Sequence, residues 1–350
     1  MPNVDVWWSA YSPEWIALLP PNLPMKRRTL LTATAPAWLC HAAFAQTSAA
    51  PAADSRPVRL LVPFAAGGAT DITARAIAGP LSQRLKVPIT VENRPGAGGA
   101  TCMAEVAAAA PDGKTLGIAT LSTHGVNPAV YRNLPYDALT DFTPITEIVK
   151  APGVLVVHPD LPPRDFAQFI RYVKAQPGKV SYASPGNGTI GHMWGELLKS
   201  TTNTFMTHVP YRGAAAALAD VVAGKVPVYF DQVASSLPHI QAGRLRALAV
   251  SWKERLQVLP SVPTYAELSL FSSNDPSWFG LVAPAGMSAA AARQWRDAVV
   301  FVLETPSVKT LLAGQGLFAS GALPEEFSAQ IRKEVDKMRR VSRFAKITLD

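Results

Sequence analysis

Cysteine is scarce in this sequence, which has only Cys40 and Cys102 among its 350 residues. Cys40 lies in a predicted export signal, so the exported chain keeps Cys102 alone. A single cysteine cannot form a disulfide within its own chain. Because 48% of the residues are hydrophobic, we expect a large apolar core, rather than disulfides, to hold the fold together.

Long hydrophobic runs are missing too, since no segment approaches the roughly 20 continuous apolar residues that span a bilayer. A short apolar stretch follows the basic start Met25–Arg28 and precedes Ala43-Phe44-Ala45, a typical cleavage site. We therefore predict that residues 25–45 are a signal peptide cleaved after Ala45, and that the mature protein is periplasmic. The pair Arg27-Arg28 leaves both general (Sec) and twin-arginine (Tat) secretion open.

Residues 1–24 fit no export pattern and contain three tryptophans. We interpret them as an upstream extension, with translation starting at Met25. The alternative, a genuine cytoplasmic extension that starts at Met1, stays open.

Charged residues make up only 17% of the chain, and their net charge is +8. The basic residues form no dense run. One loose cluster of basic residues lies near the C-terminus, and we interpret it as the solvated face of a helix rather than a nucleic-acid surface. It contains Lys333, Lys337, Arg339, Arg340 and Arg343. A positive field of this kind favours anionic solutes, because it steers them towards the protein.

Complete nucleotide-binding motifs are absent from the sequence. Gly113-Lys114-Thr115 resembles the end of a phosphate-binding loop, but Ala108 stands where that motif needs glycine, and a strand follows instead of a helix. The loop Gly96–Gly99 lacks the third glycine of a dinucleotide fingerprint, because Thr101 occupies its place. We therefore predict no cofactor.

Catalytic and metal-binding patterns are equally incomplete. His192 and Glu196 are four residues apart on a predicted helix, but no second histidine completes a zinc motif. No G-x-S-x-G segment marks a nucleophilic serine. The sequence predicts no metal site and no enzyme; an exported α/β enzyme remains the less favoured alternative.

What the sequence does contain is an alternation of strands and helices, which is typical of a largely parallel α/β fold. Two such cycles have the same order of strand, glycine-rich loop and helix. In the first, the strand Val58–Val62 leads into VPFAAGGATD and a helix that Pro80 is expected to kink or shorten. In the second, the strand Val180–Ala183 leads into SPGNGTIGH and another helix.

These two loops are candidate anion sites. Glycine lets the backbone approach a ligand closely, Thr70 or Asp71 can cap the first helix, and free N–H groups at a helix N-terminus attract anions. Neither loop is followed by the lysine that triphosphates usually require, whereas a carboxylate needs only N–H and hydroxyl donors. An ordinary tight turn between strand and helix is the competing interpretation.

A longer set of motifs resembles one family. These segments occur in order between Arg56 and Met338: RPVRLLVPFAAGGATD, VENRPGAGG, PDGKTLGIAT, VNPAVYRNLPYD, DFTPIT, HPDLP, KVSYASPGNGTIGH, VPYRGAAAALADVVAGKVPVYFDQVASSLPHIQAGRLRALAV, VPTYAEL and WFGLVAPAG. Together they resemble the Bug-type extracytoplasmic solute receptors of tripartite tricarboxylate transporters.

The resemblance implies a type II periplasmic binding-protein fold, with two α/β lobes joined by two crossover strands around a ligand cleft. Residues 56–150 and 279–350 would form one lobe and residues 158–275 the other. Hinge strands would lie near residues 151–157 and 276–282. The resemblance also implies a monomeric receptor that passes a small carboxylate to membrane permease subunits, or presents it to a sensor.

By the same resemblance, the two loops hold a carboxylate and Asp231 meets another polar part of the ligand. The predicted ligand-binding residues are Phe64, Ala66, Gly67, Gly68, Ala69, Thr70, Asp71, Ser122, Thr123, Ser184, Gly188, Thr189, His192 and Asp231. For Asp231 a structural role is the alternative, either as a helix cap or as an ion-pair partner of an arginine such as Arg212.

Overall fold

A computed structural model describes residues 56–349 of the chain. The predicted extension 1–24, the signal peptide 25–45 and its cleavage site lie outside the described residues. Within them, no helix combines the length and the apolar character that crossing a membrane requires.

Strands and helices alternate along most of the described chain. The strands are β1 (Val58–Val62), β2 (Ile89–Asn93), β3 (Thr115–Thr120), β4 (Phe142–Ala151), β5 (Gly153–Val157), β6 (Ser181–Ser184), β7 (Thr207–Pro210), β8 (Val228–Gln232), β9 (Arg246–Ser251), β10 (Ser277–Pro284) and β11 (Phe318–Ala319). The helices are α1 (Ala69–Leu85), α2 (Ala100–Ala107), α3 (Asn127–Val130), α4 (Phe166–Ala175), α5 (Ile190–Thr202), α6 (Ala214–Val222), α7 (Val233–Gln241), α8 (Ala289–Glu304), α9 (Pro306–Gly314) and α10 (Pro324–Ala345).

The strands form two separate sheets, each of which carries its own helices. The first sheet has six strands in the order β11-β4-β10-β3-β1-β2, and we call it and its helices the first lobe. In it β1 pairs in parallel with β2 and β3, whereas β10 is antiparallel to both β3 and β4. The fold class is therefore the expected α/β type.

The second sheet has five strands in the order β7-β6-β8-β5-β9, and forms the second lobe. Strand β6 is parallel to β7 and β8, and β5 is antiparallel to β8 and β9. In each lobe a parallel strand next to the edge strand, β1 or β6, ends at a glycine-rich loop. Helices α1 and α5 therefore begin at equivalent edges of the two sheets.

The chain passes between the sheets twice. Strand β4 ends at Ala151 in the first sheet and β5 begins at Gly153 in the second, so that only Pro152 separates them. The return passage is the non-strand segment 252–276, because β9 ends at Ser251 and β10 pairs along its whole length with β4. Two lobes that are joined by only two connections can move about a hinge.

Apolar burial explains why helix α1 does not stop at Pro80. The helix continues to Leu85, although proline lacks the N–H for one intrahelical hydrogen bond. Ala76, Ile77 and Leu81 are buried in the core of the first lobe on either side of the proline. Their packing outweighs the lost bond, so the predicted shortening does not occur.

Candidate ligand-binding site

The first helix N-terminus of the site belongs to α1. Gly68 is its N-cap residue, in an extended conformation, and no side chain caps the helix there. The sequence-based expectation that Thr70 or Asp71 would be the cap is wrong. The first backbone N–H groups of a helix have no intrahelical acceptor, so those of Ala69 and Thr70 are available at the positive end of the helix dipole.

Asp71 stabilises this loop from behind. Its carboxylate accepts hydrogen bonds from Gly67 N, Asn93 Nδ2 and Arg75 Nε, all at 3.0 Å. Burial alone would raise the pKa of Asp71, but the hydrogen bonds from Arg75, Gly67 and Asn93 bring it below its ordinary value. The ionised carboxylate of Asp71 therefore stabilises the loop.

The second helix N-terminus belongs to α5, and its N-cap is Thr189. The Thr189 hydroxyl donates to the carbonyl oxygen of Gly186 at 2.7 Å and accepts from the N–H of His192 at 3.4 Å. Ser184, at the end of β6, is within 2.6 Å of His208 Nε2 and hydrogen-bonded to Gly186. These bonds fix the loop that the motif SPGNGTIGH predicted.

A third helix N-terminus meets the other two. Helix α6 begins at Ala214 after Gly213, whose φ of 110° favours glycine. The N–H of Gly213 donates to the carbonyl of Pro185 at 2.9 Å, which ties the start of α6 to the SPGNGTIGH loop. The sequence analysis assigned no ligand role to this turn.

The three helix ends surround a small cavity between the lobes, of about 20 Å³. Its lining consists of Phe64, Gly68, Ala69, Thr70, Thr120, Ser122, Pro185, Thr189, Ile190, Ala214, Gln232 and Phe279. We call it the inner cavity. None of these residues is charged, so the positive potential inside comes from backbone dipoles. Its volume suffices for about one water molecule.

The lobes touch around the inner cavity, so the structure is a closed form. The N–H of Ile190, the first residue of α5, donates to Ser122 Oγ in the other lobe at 3.0 Å. The Tyr131 hydroxyl donates to the carbonyl of Asn187 at 3.3 Å. A Cβ added at Gly188 would lie 2.6 Å from the Tyr131 ring, which shows how closely the lobes approach.

A larger space, which we call the outer cavity, lies between the same loops and measures about 640 Å³. It is lined by Phe64, Pro95, Gly96, Ala97, Gly98, Gly99, Tyr131, Pro185, Gly186, Asn187, Pro210, Tyr211, Arg212 and Gly213. Phe64 and Pro185 line both cavities, so the two spaces adjoin. Arg212 is the one charged residue of this lining.

The structure brings six of the fourteen predicted ligand residues to the inner cavity: Phe64, Gly68, Ala69, Thr70, Ser122 and Thr189. Eight others line neither cavity: Ala66, Gly67, Asp71, Thr123, Ser184, Gly188, His192 and Asp231. Most of these eight support the loops. Thr123, for example, is fully buried and hydrogen-bonded to Thr120, at the end of β3.

His192 faces away from the cavity as part of a buried aromatic cluster. Its ring stacks on that of His208 with a centroid distance of 4.1 Å, and His208 stacks in turn on Tyr182. Burial lowers the pKa of His208 to about 3 and also lowers that of His192. Both imidazoles are therefore neutral at pH 7 and act as packing groups behind α5.

Asp231 lines neither cavity, whereas its neighbour Gln232 lines the inner one. Asp231 is buried, and its Oδ2 accepts hydrogen bonds from Ser235 Oγ at 2.5 Å and Ser236 Oγ at 2.8 Å, in the first turn of α7. Burial raises its pKa to about 6. The nearby phenol of Tyr229 lowers the pKa of Asp231 and so favours its carboxylate. The Tyr229 hydroxyl and Asp231 Oδ1 nevertheless form no hydrogen bond of regular geometry. The geometry therefore favours the structural alternative.

The sequence reasoning also missed Ala214, Gln232 and Arg212. Each lies near an element that was predicted, but none belongs to a glycine-rich loop between a strand and a helix. The signal available for Arg212 and Ala214 was the segment YRGAAAAL, in which a glycine precedes a run of helix formers.

The comparisons with known proteins agree with this architecture. Residues 73–344 match the family model described as the tripartite tricarboxylate transporter family receptor. The chain belongs to this family. The predicted family resemblance is thereby confirmed, and the family is one of solute receptors.

Among the relatives of the chain is the protein BugT of Bordetella pertussis, which is 31% identical over 88% of this chain and 95% of its own. R. palustris Rpa4515, solved with adipate, is 34% identical with a TM-score of 0.82, covering 84% of this chain and 99% of that one. The periplasmic binding protein BugD is 29% identical with a TM-score of 0.81, covering 84% and 98%. These likenesses confirm the predicted periplasmic binding-protein fold.

Proposed function

We propose that this receptor binds a small carboxylate between its lobes, with one carboxylate group in the inner cavity. The observation that carries the proposal is the convergence of the N-termini of α1, α5 and α6 on a space without charged side chains. Each helix end contributes roughly half a positive charge, and the first backbone N–H groups of α1 and α6 have no intrahelical acceptor. Ser122 adds a hydroxyl donor, because its oxygen accepts from Ile190 while its own proton stays available.

A singly charged planar anion suits this donor set. Phosphate sites usually combine a helix end with a lysine, an arginine or a metal ion, whereas the inner cavity offers only backbone and hydroxyl groups. The relative Rpa4515 was solved with adipate, a dicarboxylate, and this supports a carboxylate for the present chain.

The binding step requires the lobes to separate. Residues of both lobes enclose the inner cavity, so the acid enters an open form and the lobes close on it. We propose that the motion occurs about Pro152 and the segment 252–276. The bond from Ile190 to Ser122 then forms on closure and stabilises the closed state.

The buried Ser184–His208 pair does not make the protein a hydrolase in this proposal. Ser184 is completely inaccessible to solvent and lines neither cavity, so its hydroxyl cannot reach a bound acid. We propose a non-catalytic receptor without cofactor or metal. It would act as a periplasmic monomer that delivers its ligand to permease subunits of a tripartite tricarboxylate transporter, or presents it to a sensor.

The test is a thermal-unfolding screen of the purified protein with succinate, malate, glutarate, adipate, hexanoate, benzoate and aspartate. A ligand that binds only the folded protein raises its stability by RT ln(1 + [L]/Kd), so a hit raises the midpoint in a concentration-dependent way. Titration calorimetry then gives the dissociation constant. Methyl esters of the same acids are the control, since they lack the carboxylate, and an equal shift with the esters would contradict the proposal.

A further inference from the structure

The outer cavity contains one cation without a partner. Arg212 is exposed at its edge, and within residues 56–349 its guanidinium makes no ion pair or hydrogen bond. The neighbouring ionic groups are already engaged: Arg94 with Glu92 at 2.7 Å, and Asp220 with Lys225 at 3.0 Å. Arg212 is therefore free to meet an anion that enters the cleft.

The position of Arg212 is electrostatically unfavourable for a merely structural residue. It lies two residues before Ala214, at the N-terminal end of α6, where the helix dipole is positive and favours anions over cations. The helix gains nothing from a cation at this place. An anion bound between them is attracted by both, and a guanidinium can hold a carboxylate through two parallel hydrogen bonds.

The two cavities are joined in a way that fits an elongated ligand. Ala214 lines the inner cavity and Arg212 the outer one, and two trans peptide units separate their Cα atoms by at most about 7.6 Å. Phe64 and Pro185 line both cavities and provide apolar surface where the two cavities meet. A molecule with an acid at each end and methylene groups in the middle matches this order of donor, apolar and cationic surfaces.

We propose that Arg212 is a specificity residue that binds the second acidic group of an aliphatic dicarboxylate. The inference rests on the proposed function, in which the first carboxylate occupies the inner cavity. It extends that function by naming the substrate class, linear dicarboxylates, and the side chain that distinguishes them from monocarboxylates.

The test compares acids of equal carbon number that differ in the second carboxylate: succinate with butanoate, glutarate with pentanoate, and adipate with hexanoate. Calorimetry measures each pair on the wild type, Arg212→Gln and Arg212→Lys. The control is Arg171→Gln, which removes the same charge from an exposed position on α4 that lines neither cavity.

For the best pair we expect Arg212→Gln to reduce the preference for the diacid over the monoacid about tenfold, the effect of one charge-assisted hydrogen bond at an exposed site. Arg212→Lys keeps the charge but loses the paired geometry, so its preference should be intermediate. The wild-type preference should shrink as salt is raised from 20 mM to 500 mM. Arg171→Gln should bind like the wild type.

An equal change in diacid and monoacid affinity, or no change in either, would overturn the role of Arg212. So would a wild type that binds the monoacids as tightly as the diacids; in both cases carboxylate binding itself would stand. A wild type that binds none of the acids tested would overturn the proposed function and this inference with it. Unliganded thermal midpoints show whether each variant is folded.

Discussion

Gly68 offers the most direct test of the cleft. A Cβ built at this residue would lie 3.3 Å from the Cβ of Ala214 in the other lobe, closer than most real contacts. Valine adds two further methyl groups at a place where the inner cavity has only about 20 Å³. Gly68→Val should therefore obstruct both the ligand and the closure of the lobes.

The magnitude follows from the cost of overpacking. Extra methyl groups in a close-packed space cost about 1–3 kcal/mol, and 1.4 kcal/mol corresponds to a tenfold change in affinity. We expect binding of adipate, or of the strongest acid in the screen, to weaken roughly 10- to 100-fold. Gly68→Ala should show a smaller loss, because it adds the Cβ without the γ-methyl groups.

Folding should be nearly unaffected, because the backbone of Gly68 is extended, with φ of −83° and ψ of 167°. A β-branched residue adopts this conformation readily. The matched control is Gly79→Val on the same helix, where an added Cβ meets no atom within 4 Å. Calorimetry gives the affinity and thermal unfolding the stability. Unchanged affinity in Gly68→Val, or an equal loss in Gly79→Val, would refute the reasoning.

Three further predictions concern closure and charge. Ser122→Ala leaves the Ile190 N–H without its acceptor across the cleft, so binding of the strongest acid in the screen should weaken by about 1–2 kcal/mol in calorimetry; unchanged affinity would mean that this bond does not contribute. Saturation with the same acid should reduce the radius of gyration in small-angle scattering, and a constant radius would exclude lobe closure. Because burial raises the pKa of Asp231 to about 6 from 3.8, the folded state holds this proton more tightly, and the carboxyl destabilises the fold increasingly as pH rises from about 4 to 6. The difference in unfolding free energy between Asp231→Asn and the wild type should therefore move in favour of the variant by about 2 kcal/mol as pH rises from 4.5 to 7.5 in urea titrations. A difference that does not depend on pH would contradict the shift in pKa.

The sequence predicted those parts of the fold that depend on local patterns. The strands β1 and β6 are short apolar runs that end at glycine loops, and helices follow both as expected. Strand β4, by contrast, was missed. Its sequence FTPITEIVKA has neither regular alternation nor a continuous apolar run, and its register with β10 shifts twice. Its pairing depends on distant strands, which a local pattern cannot report.

The sequence predicted those parts of the site that a local sequence pattern marks. The two loops were found because glycine, a small hydroxyl residue and a helix start are neighbours in sequence. Gln232 reaches the cavity only through the packing of one lobe against the other, so no local signal marks it. Asp231 shows what a local pattern leaves open. Successive residues of a strand face opposite sides, and at the end of β8 it is Gln232 that faces the cleft.

The division of the cleft into two cavities has a consequence for specificity. The inner cavity binds through backbone N–H groups and the Ser122 hydroxyl, and backbone groups are the same whatever the side chains are. Such a site recognises a carboxylate but cannot distinguish one acid from another. Discrimination must therefore come from the side chains of the outer cavity, where Tyr131, Tyr211 and Arg212 lie. Substitutions in the inner cavity should weaken all acids alike, whereas substitutions in the outer cavity should change their ranking.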